Sequence, residues 1–263
     1  MGSNSLEEII NKKKEILNLL KNKFKIEDLN YKIKKYKKYF DFKEKINSNL
    51  SEGKFSLIAE IKKASPSAGV IIKDYNPVTI AGIYEKNKAT CLSVLTEEDF
   101  FSGSLDHISK IKEKVNLPIL CKDFFIDKFQ IPLAKSFGAD AILLIVAALS
   151  QNQLEELYNT ALEYKMSIII EVHTVEEANR IANFKNAIIG INNRNLKTLK
   201  TDLNNTFEIY KTLNSFDGIL ISESGIKNKD DVLKISNQTN IKTFLIGESL
   251  LKNLDSNSIF SIL

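Results

Sequence analysis

The chain has 263 residues, of which 43% are hydrophobic and 27% charged, an ordinary globular composition that can bury a normal core without a disulfide or metal staple. It holds two cysteines and two histidines, with no CxxC spacing, which speaks against a disulfide framework and against a zinc site. The formal net charge is +4, but residues 1–54 hold 14 Lys against 8 acids, so the basic character belongs to the N-terminal segment and the main body is slightly acidic.

The opening residues Met1 to Asn4 read as foreign to the natural start. From Leu6 to Leu20 the apolar residues Leu6, Ile9, Ile10, Ile16, Leu17 and Leu20 recur at helical spacing. A second basic, helix-like stretch is expected over Tyr31 to Asn47. Residues 1–54 thus read as a helical extension packed on the main body. Its lysines are mixed with Glu15, Glu27, Asp28 and Glu44, and it has no Arg or stacking motif. This fits a solvated helix face better than a nucleic-acid surface.

From Ser56 the pattern changes. Eight short apolar runs follow, at Leu57–Ile61, Cys91–Leu95, Pro118–Cys121, Ala141–Val146, Ile168–Val172, Ala187–Ile191, Ile219–Ile221 and Thr243–Ile246. The intervals leave room for one helix between successive runs, and near-continuous apolar runs suit parallel strands buried on both faces. Helix signals lie between them. Asn76-Pro77 is an N-cap followed by proline at the first helical position. Ser150 with Gln153 and Thr174 with Glu177 fit capping boxes, and Gly138 suits a C′ glycine. Pro132 is expected beyond the first turn of its helix, at the cost of a backbone hydrogen bond. His107 is expected on a helix facing solvent, and Cys121 facing the helices. Eight strand–helix units predict an α/β fold, a (β/α)8 TIM barrel forming a single domain over 1–263. An open doubly wound sheet is the alternative, but no GxGxxG follows the first strand.

In such barrels the chemistry sits at the C-terminal ends of the strands. Those ends carry Glu60 and Lys62, Lys122, Glu171, Asn192 and Arg194, Glu223 and Ser224, and Gly247 and Glu248. Residues two apart on a strand share a face, so Glu60 projects with Lys62 and Asn192 with Arg194. A single charge at a strand end is often just the first solvated residue. Several strands ending this way, with opposite signs converging on one mouth, point to catalysis. His173 shares the face of Glu171 but at the rim, where a supporting role is at least as good a reading. The loops at 222–226 and 246–250 offer glycines and a helix N-terminus to an anion, at the strands where barrels commonly hold phosphate. Ser65 and Ser67 add hydroxyls, or simply turn the chain around Pro66. The residues alone thus predict a barrel enzyme for a small phosphorylated anion, moving protons with lysine and glutamate.

These stretches resemble the indole-3-glycerol-phosphate synthase family. The resemblance is carried by Ala59 to Gly69, Ser93 to Glu97, Phe100 to Ser104, Lys122-Asp-Phe124, Gly190 to Thr198, Ser222 to Gly225 and Gly247 to Leu250. It implies decarboxylating ring closure of 1-(2-carboxyphenylamino)-1-deoxyribulose 5-phosphate to indole-3-glycerol phosphate, CO2 and water, with no metal or organic cofactor. It implies Lys122 as general acid, Glu171 and Glu60 as the working carboxylates, and Lys62 as a binder of anionic groups. Asn192 and Arg194 would position substrate, with Arg194 also steadying Glu171. Ser65, Ser224, Gly225, Gly247 and Glu248 would cradle phosphate, with Glu223 counted among the substrate-binding residues. Leu95 and Phe124 would wall the aromatic ring. Ala68, Cys121, Phe125 and Pro132 depart from common members without touching a residue assigned to chemistry.

The nearest rival is another phosphate-binding barrel, such as phosphoribosylanthranilate isomerase, which typically works with a cysteine and an aspartate. The expected partners are a small phosphorylated substrate and, weakly, other tryptophan-pathway enzymes, with a monomer as the working unit and no nucleic acid. No membrane partner is expected, since no apolar run approaches a span. Without a signal-peptide apolar region the chain is expected in the cytoplasm.

Overall fold

The apolar runs form parallel strands because each offers side chains to two layers at once. In this computed structural model, which describes residues 6–181, 183–254 and 256–263, the strands are β1 (Ser56–Ile61), β2 (Cys91–Leu95), β3 (Ile119–Lys122), β4 (Ala141–Ile145), β5 (Ser167–Val172), β6 (Ile188–Asn192), β7 (Leu220–Glu223) and β8 (Thr243–Ile246). All neighbouring pairs are parallel, and β1 bonds both β2 and β8, which closes the barrel. Alternation decides what faces where. Ile58, Cys91, Leu120, Leu143, Ile169, Ile188, Ile221 and Leu245 fill the interior. Leu57, Leu92, Ile119, Ile142 and Ile170 pack outward under the helices. Cys121 belongs to that outer layer, as expected, while Cys91 faces inward.

Several strands run slightly further toward their C-terminal ends than the apolar runs alone suggest. Leu95 pairs with Lys122, and Asn192 with Glu223, inside the ladder. Glu60, Lys122, Glu171 and Glu223 therefore sit on regular, hydrogen-bonded backbone, which fixes them more tightly than a loop would. A two-residue hairpin, Ala64–Ser65 with Gly69–Val70, follows β1.

The N-terminal extension differs from expectation. Residues 1–5 lie outside the described residues. Helix α1 (Leu6–Lys23) forms as predicted, but the expected second helix over Tyr31 to Asn47 is two helices, α2 (Ile26–Lys35) and α3 (Phe42–Ser51). The break is tertiary. Between them Tyr39 Oη donates to Lys135 O at 2.8 Å, and Phe40 N donates to Asp140 Oδ1 at 2.7 Å. Asp41 then caps α3 by accepting from Glu44 N. Buried Phe42 and Ile46 plug the N-terminal end of the barrel. α1 crosses the opposite end, tied down by Lys13 to Asp123 at 2.6 Å and Lys21 to Asp127 at 2.6 Å.

The remaining helices are α4 (Pro77–Lys86), α5 (Leu105–Lys114), α6 (Gln130–Ser136), α7 (Gln151–Glu163), α8 (Val175–Asn179), α9 (Asn204–Leu213), α10 (Lys229–Thr239) and α11 (Glu248–Lys252). Asn76 caps α4, and the Ser150/Gln153 capping box is complete. Thr174 caps Glu177 N, but the Glu177 carboxylate accepts from His173 N instead of returning to Thr174. Pro132 is corrected. α6 starts at Gln130, so Pro132 falls within the first turn, where N–H groups have no intrahelical partner and the missing donor costs nothing. His107 is also corrected. It is half-buried, its ring 5.5 Å from that of Tyr75, and burial pushes its pKa down. Among the described residues no helix is long and apolar enough to cross a membrane.

Candidate active site

The strand ends bring the predicted charges to one point. Lys122 Nζ on β3 lies 3.1 Å from Glu223 Oε2 on β7, 3.5 Å from Glu60 Oε2 on β1 and 3.6 Å from Glu171 Oε2 on β5. Lys62 Nζ contacts the other oxygen of Glu60 at 2.5 Å, so the expected pairing of positions 60 and 62 is formed. Burial disfavours the Lys122 charge, but Glu223, Glu60 and Glu171 outweigh it and raise its pKa far above the ordinary lysine value. Glu60 is likewise buried, yet Lys62 and Lys122 hold its carboxyl below the usual range.

Glu171 and Glu223 behave differently although both are buried. Burial pushes both up. Lys122 and His173 overcome it at Glu171, whose pKa falls well below normal. At Glu223 burial and the negative charge of Glu171 win over Lys122, and its pKa rises to about 8. The two buried acids oppose each other's charge, which favours a proton on Glu223 over one on Glu171. Glu223 was expected to touch substrate. It is instead fully buried, bonded to Lys122, and borders no part of the pocket.

Two glycines make room for this cluster. A Cβ at Gly190 would lie 2.0 Å from Glu223 Oε1, and one at Gly247 would lie 2.5 Å from Glu60 Oε1. Neither carboxylate could keep its place beside a larger residue.

Above the cluster the pocket has two lobes that share Glu60, Lys62, Lys122, Arg194 and Ser224. The first, about 150 Å³, is walled by Leu95, Phe124, Phe101, Leu196, Ile9 and Leu6. The second, about 360 Å³, is bordered by Ser224, Gly225, Gly247, Glu248, Lys227 and Lys252. Asn192 borders the first lobe, and its Oδ1 accepts from Arg194 N at 2.9 Å. Ser65 also borders the first lobe rather than the second, and its hydroxyl lies 3.3 Å from that of Ser67. Arg194 does not reach Glu171. Its guanidinium donates to Leu199 O at 2.7 Å and lies 4.0 Å from Glu248.

The second lobe is shaped by a buried polar network. Ser224 sits at φ 67° and Gly225 at 77°, both left-handed. Asn193 Nδ2 donates to Ser224 O and Ser222 Oγ, each at 3.1 Å, while its Oδ1 accepts from Thr206 N and Oγ1. Every polar group of Asn193 is thereby used, which locks the turn and directs it at the lobe. Opposite, Gly247 caps α11, and Glu248 opens it with its carboxylate turned to Lys252 at 2.6 Å.

Sequence reasoning missed part of this site. Leu6 and Ile9 were seen as helix periodicity, but nothing local says that this face covers the barrel mouth. Lys13 was passed over because its partner Asp123 is remote in sequence. Asn193 stands in the quoted motif and was not singled out. Among the described residues no group of three or more His, Cys, Asp or Glu is arranged to hold a metal ion.

The sequence matches the family described as Indole-3-glycerol phosphate synthase over residues 6–262. The enzyme of that name from Prochlorococcus marinus subsp. pastoris is 46% identical over 265 residues, covering 98% of this chain and 88% of the relative. That of Trichodesmium erythraeum is 42% identical over 256 residues, covering 95% and 84%. Among solved structures, the tryptophan synthase alpha chain from Legionella pneumophila has a TM-score of 0.60 at 10% identity, covering 84% of this chain and 94% of that one. A monomeric phosphoribosylanthranilate isomerase from Thermotoga maritima gives 0.53 at 9%, covering 78% and 94%. These two likenesses show the barrel fold alone. With the family matched along nearly its whole length, the chain belongs to the indole-3-glycerol phosphate synthases, decarboxylating lyases of tryptophan biosynthesis.

Proposed function

We propose that Lys122 is the general acid of ring closure and Glu171 the carboxylate that takes up the later proton. The observation that carries this reading is the placement of one lysine, held protonated by the acids Glu60, Glu171 and Glu223 around it, where an apolar lobe meets one suited to an anion. The anthranilate ring of 1-(2-carboxyphenylamino)-1-deoxyribulose 5-phosphate lies between Leu95, Phe101 and Phe124. The phosphate lies against Ser224, Gly225, Gly247 and the backbone N–H of Glu248 at the start of α11. Anchoring both ends folds the linking chain so that the aromatic carbon meets the ketone.

Attack by that carbon forms the new C–C bond, and Lys122 delivers a proton to the ketone oxygen. The carbocation left in the ring lies near Glu171. Loss of CO2 returns its bonding electrons to the ring and restores aromaticity. The new hydroxyl then leaves as water on a proton passed from Lys62 through Glu60, which lie 2.5 Å apart, and Glu171 accepts the proton lost from carbon. Lys62, paired with Glu60 and bordering both lobes, binds the substrate's anionic groups. Asn192 and Arg194 position it. Ser65 borders the ring rather than the phosphate. The two buried free thiols, Cys91 and Cys121, accord with a reducing compartment such as the cytoplasm.

The test is incubation of the purified chain with this substrate, following indole fluorescence, beside Lys122→Ala. Product from the wild type alone supports the assignment. Near-wild-type turnover by Lys122→Ala removes Lys122 from its role.

A further inference from the structure

His173 stands two residues beyond Glu171, at the C-terminal end of β5, and borders neither lobe. Its side chain is 5% exposed and lies between two carboxylates. Nε2 is 3.1 Å from Glu171 Oε1, an ion contact rather than an aligned hydrogen bond, and Nδ1 is 3.3 Å from Glu177 Oε2. An ionised carboxylate only accepts, so a ring facing one at each nitrogen carries a proton on both. The clamp is itself fixed. Glu177 Oε2 accepts from His173 N at 2.7 Å, Thr174 Oγ1 holds Glu177 N, and Asn205 Nδ2 donates to His173 O. The groups facing His173 are Glu171 from its own strand and Glu177 from α8. Those facing Glu171 are His173, Lys122 from β3 and Glu223 from β7. Charges alternate along this row, from Glu177 through His173 and Glu171 to Lys122.

We propose that His173 is a positioning residue for the reaction: clamped as an imidazolium by Glu177, it keeps Glu171 ionised, so that a proton is favoured on Glu223 over Glu171. The inference deepens the reading above and rests on Glu171 being the proton acceptor. Burial works against a charged ring, yet Glu171 and Glu177 raise the pKa of His173 to about 10. Without that cation, Lys122 alone would oppose both burial and the neighbouring Glu223.

Because the chain has only two histidines, nitrogen-15 NMR assigns the ring of His173 by its loss in His173→Gln. Both ring nitrogens are expected to stay protonated up to about pH 8, well above the ordinary histidine value. A neutral tautomer there overturns the proposal. The acidic limb of the pH profile of kcat should move up by about one unit or more in His173→Gln, the scale of a lost neighbouring charge. KM at the optimum should stay within about twofold, since the ring borders no substrate lobe. Glu177→Gln, which leaves the ring in place, should move the limb the same way by less. Equal loss of kcat at all pH values, with the limb unmoved, overturns the proposal. Glu171→Gln separates the two readings. If it retains turnover, the assignment of Glu171 fails. If it is inactive while both other variants keep the wild-type limb, only the role of His173 fails.

Discussion

Replacing Gly190 by Ala tests whether Lys122 depends on the buried carboxylate beneath it. Gly190 lies mid-strand in β6, level with Glu171 on β5 and Ile221 on β7. Its φ is outside the left-handed region, so the backbone itself accepts a side chain. The obstacle is contact. The added carbon would sit 2.0 Å from Glu223 Oε1, 3.2 Å from its Cδ and 3.3 Å from Ile169 Cγ2. Such carbons keep at least 3.0 Å, so the carboxylate must retreat by about 1 Å, the scale of misplacement that costs about a hundredfold in rate. Glu223 is fully buried, so overpacking should also cost about 1–3 kcal/mol of stability. The 3.1 Å contact with Lys122 would be lost. We expect kcat to fall about a hundredfold with KM little changed, because neither Gly190 nor Glu223 borders the pocket. Steady-state kinetics by indole fluorescence and a urea unfolding curve read both effects. In Gly190→Ala/Glu223→Asp the shorter acid relieves the clash, so stability should recover while turnover does not. A single variant that is destabilised yet turns over at the wild-type rate would refute the dependence of Lys122 on Glu223.

Three further outcomes follow from other contacts. Lys112 and Asp140 form an ion pair 1% and 0% exposed, and Lys112→Met should cost about 3–5 kcal/mol by stranding the acid; Asp140→Asn in that background should recover part of it, and a single variant as stable as wild type would contradict the expectation. His173 has a folded pKa of about 10, above its unfolded 6.5, so its contribution to stability is complete below about pH 6.5 and lost as pH rises through about 10. The stability gap between wild type and His173→Gln should therefore shrink toward high pH, and a gap that widens would reverse the sign. Ser224→Asp places a negative charge at the left-handed turn bordering the second lobe, and KM should rise by about tenfold or more through like-charge repulsion; an unchanged KM would move the phosphate elsewhere.

The barrel was legible because its strands announce themselves by burial on both faces, and the strand-end rule then turns eight apolar runs into a short roster of residues. Glu60, Lys62, Lys122 and Glu171 meet as that rule predicts. What it could not show is depth. Glu223 and Ser224 are adjacent in sequence, yet one is sealed beneath Lys122 and the other borders both lobes. Alternation tells which face a residue takes, but not which layer of a closed barrel it reaches, since that depends on strand tilt and register across all eight strands. Gly190 shows the same limit. Its reason for being glycine is a carboxylate from the next strand, which no local pattern records.

The extension shows where periodicity misleads. Helical spacing between Tyr31 and Asn47 is real, but Asp140 captures the backbone N–H of Phe40 and the Lys135 carbonyl takes the Tyr39 hydroxyl, which breaks the stretch into two helices. Lys13 lies between Ile9 and Leu17 on the buried face of α1, a position that reads as a flaw in an apolar stripe. A buried lysine is stable only with a partner, and Asp123 supplies it from the residue after Lys122. Asp123 in turn accepts from Thr96 Oγ1 at 2.8 Å and from its neighbour Phe124 N. The ion pair that holds α1 across the barrel mouth is therefore built into the strand end that carries Lys122, and the flaw in the stripe is the residue that brings Leu6 and Ile9 to the pocket.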